Sequence, residues 1–166
     1  LIESTLLFSG SRSHLFLAIR PNIEMKNYSL KEFGASLKEF TSQYHHESRC
    51  INILLRDPGL CWFTSVFEPL PQHVVIDMGK EITMHKVGIF LHGENNQNPK
   101  RIKFEISKNM KEWKEIVESE VEWRGGDHMW GIPKDTTFEG RYCRYTIMEN
   151  FGGSGAYTTK LYLFGK

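Results

Sequence analysis

The chain is predicted to be all-β, an antiparallel sandwich, on three observations. Short stretches alternate apolar and polar residues. Aromatic residues are plentiful, with 11 Phe, 6 Tyr and 4 Trp among 166 residues, and such side chains favour strands. Gly, Pro and Asn punctuate the chain at short intervals, as turns require. A 40% hydrophobic and 25% charged composition is that of an ordinary soluble globular protein, and the length suits one domain with a substantial core.

Residues 1–20 hold short apolar pieces, Leu6-Leu7-Phe8 and Leu15-Phe16-Leu17, interrupted by Arg12, Ser13 and His14. That is too short and broken to span a bilayer, and it lacks the basic start and small-residue cleavage site of a signal peptide. Met25 offers an alternative start, which would make the first 24 residues foreign. Residues 1–28 are therefore expected to be an extension or foreign sequence, with the sandwich occupying 29–166.

Within the sandwich, residues 29–40 carry a helical hint, with Leu30, Phe33, Leu37 and Phe40 at spacings of three and four. Gly34 weakens it, and residues 33–37 are the competing first strand. After the polar stretch 38–48, Val74-Val75-Ile76-Asp77-Met78-Gly79 reads as a strand closed by glycine, and Val87-Gly88-Ile89-Phe90-Leu91 as the next. An Asn-rich loop follows over 92–99. Ile102, Phe104 and Ile106 alternate with Lys103 and Glu105, the pattern of a half-buried strand. Residues 107–112 turn the chain so that 113–117 pair back as a hairpin. Cys143, Tyr145 and Ile147 share one face of another strand, and residues 160–164 close the series.

Composition excludes several functions. Twenty-one basic and 20 acidic residues leave a net charge of +1, far from the basic excess that nucleic acid demands. Cys50, Cys61 and Cys143 form no CxxC; an odd count without a leader reads as free thiols in a reducing, cytoplasmic setting. Asn27-Tyr28-Ser29 is a formal glycosylation triplet that matters only on secretion. The neighbours His45 and His46 would face opposite ways on a strand, and no HExxH is present. No nucleophile elbow, P-loop or dinucleotide fingerprint occurs. The Gly-rich residues 151–155 precede a strand rather than a helix. The chain is expected not to be an enzyme and to need no cofactor.

Four segments in order, INILLRDPGLCWFTS, PQHVVIDMGKEITMHKVGIFLHG, KRIKFEISKNMKEWKEI and RYCRYTIMENFGGSGAYTTKLYLFG, resemble the discoidin, or coagulation factor five/eight type C, domain of the galactose-binding-like superfamily. More loosely they are similar to Doc-type domains of ubiquitin ligases and to carbohydrate-binding modules. The resemblance implies an antiparallel jelly-roll whose loops at one end contact the ligand. Some relatives carry a structural calcium ion held by loop oxygens, for which Asp57 and nearby carbonyls are the candidates here. Secreted members tie their ends with a disulfide, and no cysteine lies near the end of this chain. The loops likened to the membrane-inserting spikes lack an exposed Trp pair, so a membrane partner is not expected.

Aligned this way, three loops should meet at the ligand end: 38–48 with Phe40, Tyr44, His45 and His46; 56–60 with Arg56 and Asp57; and 92–98 with His92, Glu94, Asn95, Asn96 and Gln97. Residues 150–157, with Phe151, border them. Rings and imidazoles offer rigid contact area at low entropy cost, and carboxamides both donate and accept hydrogen bonds. Trp62 is expected to pack at the end of the sandwich, Trp113 against the hairpin, and Asp77 and Arg144 to be structural. Trp123, Arg124, Asp127, His128 and Trp130 form a polar-aromatic cluster around Gly125-Gly126, a candidate second contact surface placed in a long connection at the opposite end. The expected function is recognition of a protein partner through the loops. The alternatives are a carbohydrate-binding module using Tyr44, His45, Asn95 and Asn96, and an accessory domain of a larger enzyme.

Overall fold

A computed structural model describes residues 24–166; the expectations for residues 1–23 lie outside the described residues. The strands are β1 (Lys26–Asn27), β2 (Ser36–Phe40), β3 (Trp62–Phe63), β4 (Gln72–Leu91), β5 (Pro99–Ser107), β6 (Lys114–Glu120), β7 (Gly126–Gly131), β8 (Glu139–Asn150), β9 (Tyr157–Thr158) and β10 (Lys160–Gly165). All pair antiparallel, as the alternating stripes predict.

β4 organises the fold because one strand serves both layers. Its first part, around Val74–Asp77, pairs with β2 on one side and β8 on the other. Its last part, Lys86–Phe90, pairs with β7 and β10. The register with β8 shifts between Asp77 and Ile82, where Gly79 has φ +82° and a Cβ would meet the Gly34 carbonyl at 2.9 Å. One layer is thus β2–β4–β8–β5–β6 and the other β1–β10–β4–β7. Both ends of β4, Gln72 and Leu91, emerge at the same end of the sandwich.

Between the layers lie Val74, Ile76, Ile102, Phe104, Ile106, Cys143, Tyr145 and Ile147 from one sheet and Val87, Ile89, Leu91, Leu161 and Leu163 from the other, all buried. Burial of such side chains is the main driving force, about 1.5–3 kcal/mol each. Trp62 closes the core at the loop end as expected: it is fully buried, its ring meets Tyr145 edge-on at 6.4 Å, and its Nε1 donates to the Ser42 carbonyl at 2.8 Å.

Several expectations are corrected. Residues 29–40 form no helix. A single 3-10 turn, Lys31–Phe33, stops at Gly34 with φ +97°, and β2 runs over Ser36–Phe40 rather than 33–37. The helical spacing does not make a buried stripe, since Leu30 is buried while Phe33 and Phe40 are exposed. The sandwich also takes in residues before 29, because Lys26 and Asn27 pair with Gly165 and Phe164. Asp77 and Arg144, by contrast, make structural contacts as expected: Asp77 accepts from Arg141, and Arg144 pairs with Glu105 at 2.7 Å and lies over the Trp113 ring at 4.3 Å. The Trp123–Trp130 cluster is not a connection at the far end. Its second half is β7, and its first half enters the loop end.

Candidate functional site

The loop end is built from residues 41–48, 61–70, 92–98, 121–125 and 150–157, which leave or enter the strand ends that β4 brings together. The short pair β3–β9 ties two of them, with Trp62 opposite Thr158 and Phe63 opposite Tyr157. Since neighbouring residues of a strand point to opposite faces, burying Trp62 sends Phe63 toward the surface.

A run of rings results. Tyr44 lies against His45 at 4.6 Å and Phe63 at 5.8 Å between centroids; Phe63 stacks on Tyr157 at 6.4 Å, and Tyr157 meets His92 at 4.7 Å. The Tyr44 amide donates to the Phe63 carbonyl at 2.8 Å. His92 is oriented from below: its amide donates to Thr159 Oγ1 at 3.2 Å, and its Nδ1 lies 2.8 Å from the same oxygen.

The 92–98 loop forms the middle of the site. Fully buried Asn98 is its post, with Nδ2 donating to the Gly93 carbonyl at 2.9 Å and Oδ1 accepting from the Asn95 amide at 3.1 Å. The Tyr157 hydroxyl lies 2.9 Å from both the Gly93 carbonyl and Asn98 Oδ1, so its one proton chooses between them. Burial raises the pKa of that hydroxyl and keeps it a donor. Asn95 Oδ1 accepts from the Gln97 amide at 2.8 Å, a local turn that leaves Glu94, Asn95 and Asn96 exposed at the tip.

Across this loop stands a second aromatic pair. Trp123, 50% exposed, lies against Phe151 at 4.8 Å with the rings tilted by 57°. The Gly125 amide donates to Glu94 Oε1 at 3.3 Å, and the Gly153 amide to the Asn96 carbonyl at 2.9 Å. Gly153 is required by this approach, since a Cβ there would sit 2.6 Å from Gln97 Cγ.

Of the residues chosen from sequence, the structure brings together Tyr44, His45, His92, Glu94, Asn95, Asn96, Gln97 and Phe151. His46 is exposed one residue beyond His45, in the 3-10 turn His46–Ser48. Phe40 lies down the side on β2, opposite Val74. Arg56 and Asp57 belong to a different place: Arg56 pairs with Glu32 and lies over the Phe33 ring, while Asp57 Oδ1 accepts from the Gly59 amide at 2.8 Å. Their loop borders a groove of about 470 Å³ on the outer face of β10, shared with Leu30, Phe90, Lys160 and Tyr162. Phe63, Trp123 and Asn98 were not among the chosen residues. The surface position of Phe63 follows only once Trp62 is known to be buried; Trp123 is conspicuous in the sequence, but nothing local says which end it joins.

Among the described residues no group of three or more His, Cys, Asp or Glu is arranged to hold a metal ion, and no helix is long and apolar enough to cross a membrane.

Residues 39–159 match the F5/8 type C domain. The chain belongs to that family. No curated protein matches the sequence, but solved structures share the fold. The C-terminal domain of a chitobiase from Bacteroides fragilis superposes with a TM-score of 0.72 at 17% identity, covering 86% of this chain and 98% of that one. The family 32 carbohydrate-binding module of NanJ from Clostridium perfringens, in complex with galactose, gives 0.72 at 17%, covering 85% and 99%. CpGH89CBM32-5 from Clostridium perfringens, in complex with GalNAc-β-1,3-galactose, gives 0.69 at 16%, covering 83% and 99%. At these identities the likeness establishes the jelly-roll fold of this F5/8 type C domain.

Proposed function

We propose that this F5/8 type C domain is a non-catalytic carbohydrate-binding module whose site is the loop end. The observation that carries the reading is the pair of exposed aromatic surfaces, Trp123–Phe151 and Tyr44–Phe63–His92, on either side of a loop presenting Glu94, Asn95 and Asn96. A pyranose has apolar C–H faces that stack on rings and hydroxyls that need both donors and acceptors. Solved relatives of the same fold include complexes with galactose and with GalNAc-β-1,3-galactose, which favours a glycan over the protein partner expected from sequence.

The test is a glycan array followed by calorimetry on the hits. Trp123→Ala and Tyr44→Ala leave the fold intact, because both rings are about half exposed. At least one should weaken binding about tenfold, the equivalent of about 1.4 kcal/mol. An array without saturable signal, or affinity indifferent to both substitutions, overturns the proposal. A protein partner is the second reading, favoured by Phe67. This ring is 89% exposed on the 64–70 rim of the same end, and a partner reading requires Phe67→Ala to abolish capture in a pull-down.

A further inference from the structure

Lys160 opens β10 and is only 7% exposed, yet no carboxylate among the described residues forms an ion pair with it. A buried charge is costly unless something replaces its water. Here backbone carbonyls do: Nζ donates to the Asn52 carbonyl at 2.8 Å and to the Leu60 carbonyl at 3.0 Å. The two lie at either end of the 52–60 loop. That loop is further closed by Asn52 Nδ2, which donates to the Cys61 carbonyl at 2.9 Å and to the Glu47 carbonyl at 2.8 Å. Burial pulls the Lys160 pKa down, and the charge on nearby Asp57 works the other way.

Carbonyl oxygens converging on one positive charge, with a carboxylate near by, are the surroundings that proteins offer a hard cation such as calcium. The family resemblance implies such an ion near Asp57 in some relatives. The residues here do not fit one. The Asn52 and Leu60 carbonyls are already engaged by an ammonium group, Asp57 Oδ1 is engaged by the Gly59 amide, and an ion entering beside Lys160 would meet like charge.

We infer that the Lys160 ammonium is a tethered cation standing where a loop-bound metal would otherwise stand, so that the 52–60 loop is fastened to β10 without calcium. The same contact leaves that loop turned toward the flanking groove rather than toward Tyr44 and Asn96.

Thermal unfolding of the full chain in millimolar calcium and in chelator tests this. The wild-type midpoint should be the same in both. Lys160→Met should lower it by about 10 °C, and calcium should not restore it, because the buried Asn52 carbonyl and the partly buried Leu60 carbonyl lose their donor and no ligand is gained. Should Lys160→Met not fold, Lys160→Gln, which keeps an N–H, should show a smaller fall. Lys160→Glu should also fall in chelator but recover in part with calcium, since a carboxylate there completes an oxygen set with the two carbonyls. A calcium-dependent wild-type midpoint overturns the inference. So does a Lys160→Met protein that melts like wild type, or a Lys160→Glu protein indifferent to calcium.

Discussion

Asn98→Ala removes the post of the 92–98 loop, and the size of the effect follows from counting what each partner keeps. The substitution deletes the bonds to the Gly93 carbonyl and from the Asn95 amide. Tyr157 loses nothing decisive, because its hydroxyl still reaches the Gly93 carbonyl at 2.9 Å. Asn95 is exposed, so water can reach its amide. Two lost bonds at about 1 kcal/mol each, with part of the cost of the space left by a fully buried side chain, give about 2–3 kcal/mol. For a chain of this size that is a fall of about 6–10 °C in Tm. Asn98→Asp should be no better, because a carboxylate would face the Gly93 carbonyl in place of the donating Nδ2. Scanning calorimetry measures the fall, and glycan titration should show a parallel loss, since Glu94, Asn95 and Asn96 ride on this loop. An Asn98→Ala protein within about 1 °C of wild type with unchanged binding would refute the reasoning.

Gly153→Ala should separate the 92–98 and 150–157 loops, because the new methyl would lie 2.6 Å from Gln97 Cγ and 2.8 Å from the Asn96 carbonyl; the expected result is weaker glycan binding with a Tm loss of a few degrees, read by the same two assays. Glu105→Gln should destabilise by about 2 kcal/mol in urea titration at neutral pH, since it breaks the half-buried pairing with Arg144 at 2.7 Å. Burial raises the Glu105 pKa, but Arg144 and Lys103 more than offset it, leaving the carboxyl below its ordinary value. The folded state therefore favours the ionised form: its contribution is complete above the ordinary glutamate pKa and is lost as pH falls through the lowered one, where wild type and variant should converge. Burial also raises the Cys50, Cys61 and Cys143 thiols, so a thiol reagent at neutral pH should modify none of them rapidly until denaturant is added; fast reaction at Cys50 or Cys143 would contradict the packed core.

Much of the fold could be read from residue order because its strands announce themselves locally. Ile102, Phe104 and Ile106 and the matching Cys143, Tyr145 and Ile147 face the same core, and the structure pairs them directly. The misreadings share one cause, which is that pairing partners are distant in the chain. Gly125 and Gly126 read as a connector, yet Gly126 begins β7, a strand that exists because Lys86–Leu91 offers it a free edge. Nothing in residues 123–131 says so alone. Phe33 and Phe40 likewise fit a helical spacing, but the open flank of β4 drew residues 36–40 into a sheet. At the site, the polar loop 92–98 stood out by composition. Phe63 did not, because its exposure depends on Trp62 being buried beside it. The position of Arg56 and Asp57 is not legible locally either, because their loop is tied at Asn52 and Leu60 to Lys160, 100 residues beyond Leu60.

The continuity of β4 has a mechanical corollary. Neither sheet can slide or peel away without tearing a segment that is hydrogen-bonded into the other, so unfolding of one layer should drag its counterpart along. Amide exchange in the paired parts of 72–91, on either side of the break between Asp77 and Ile82, should accordingly show one shared protection level, limited by global opening. The rim that both termini of this segment support would then meet a ligand as a stiff surface, losing little conformational freedom on capture.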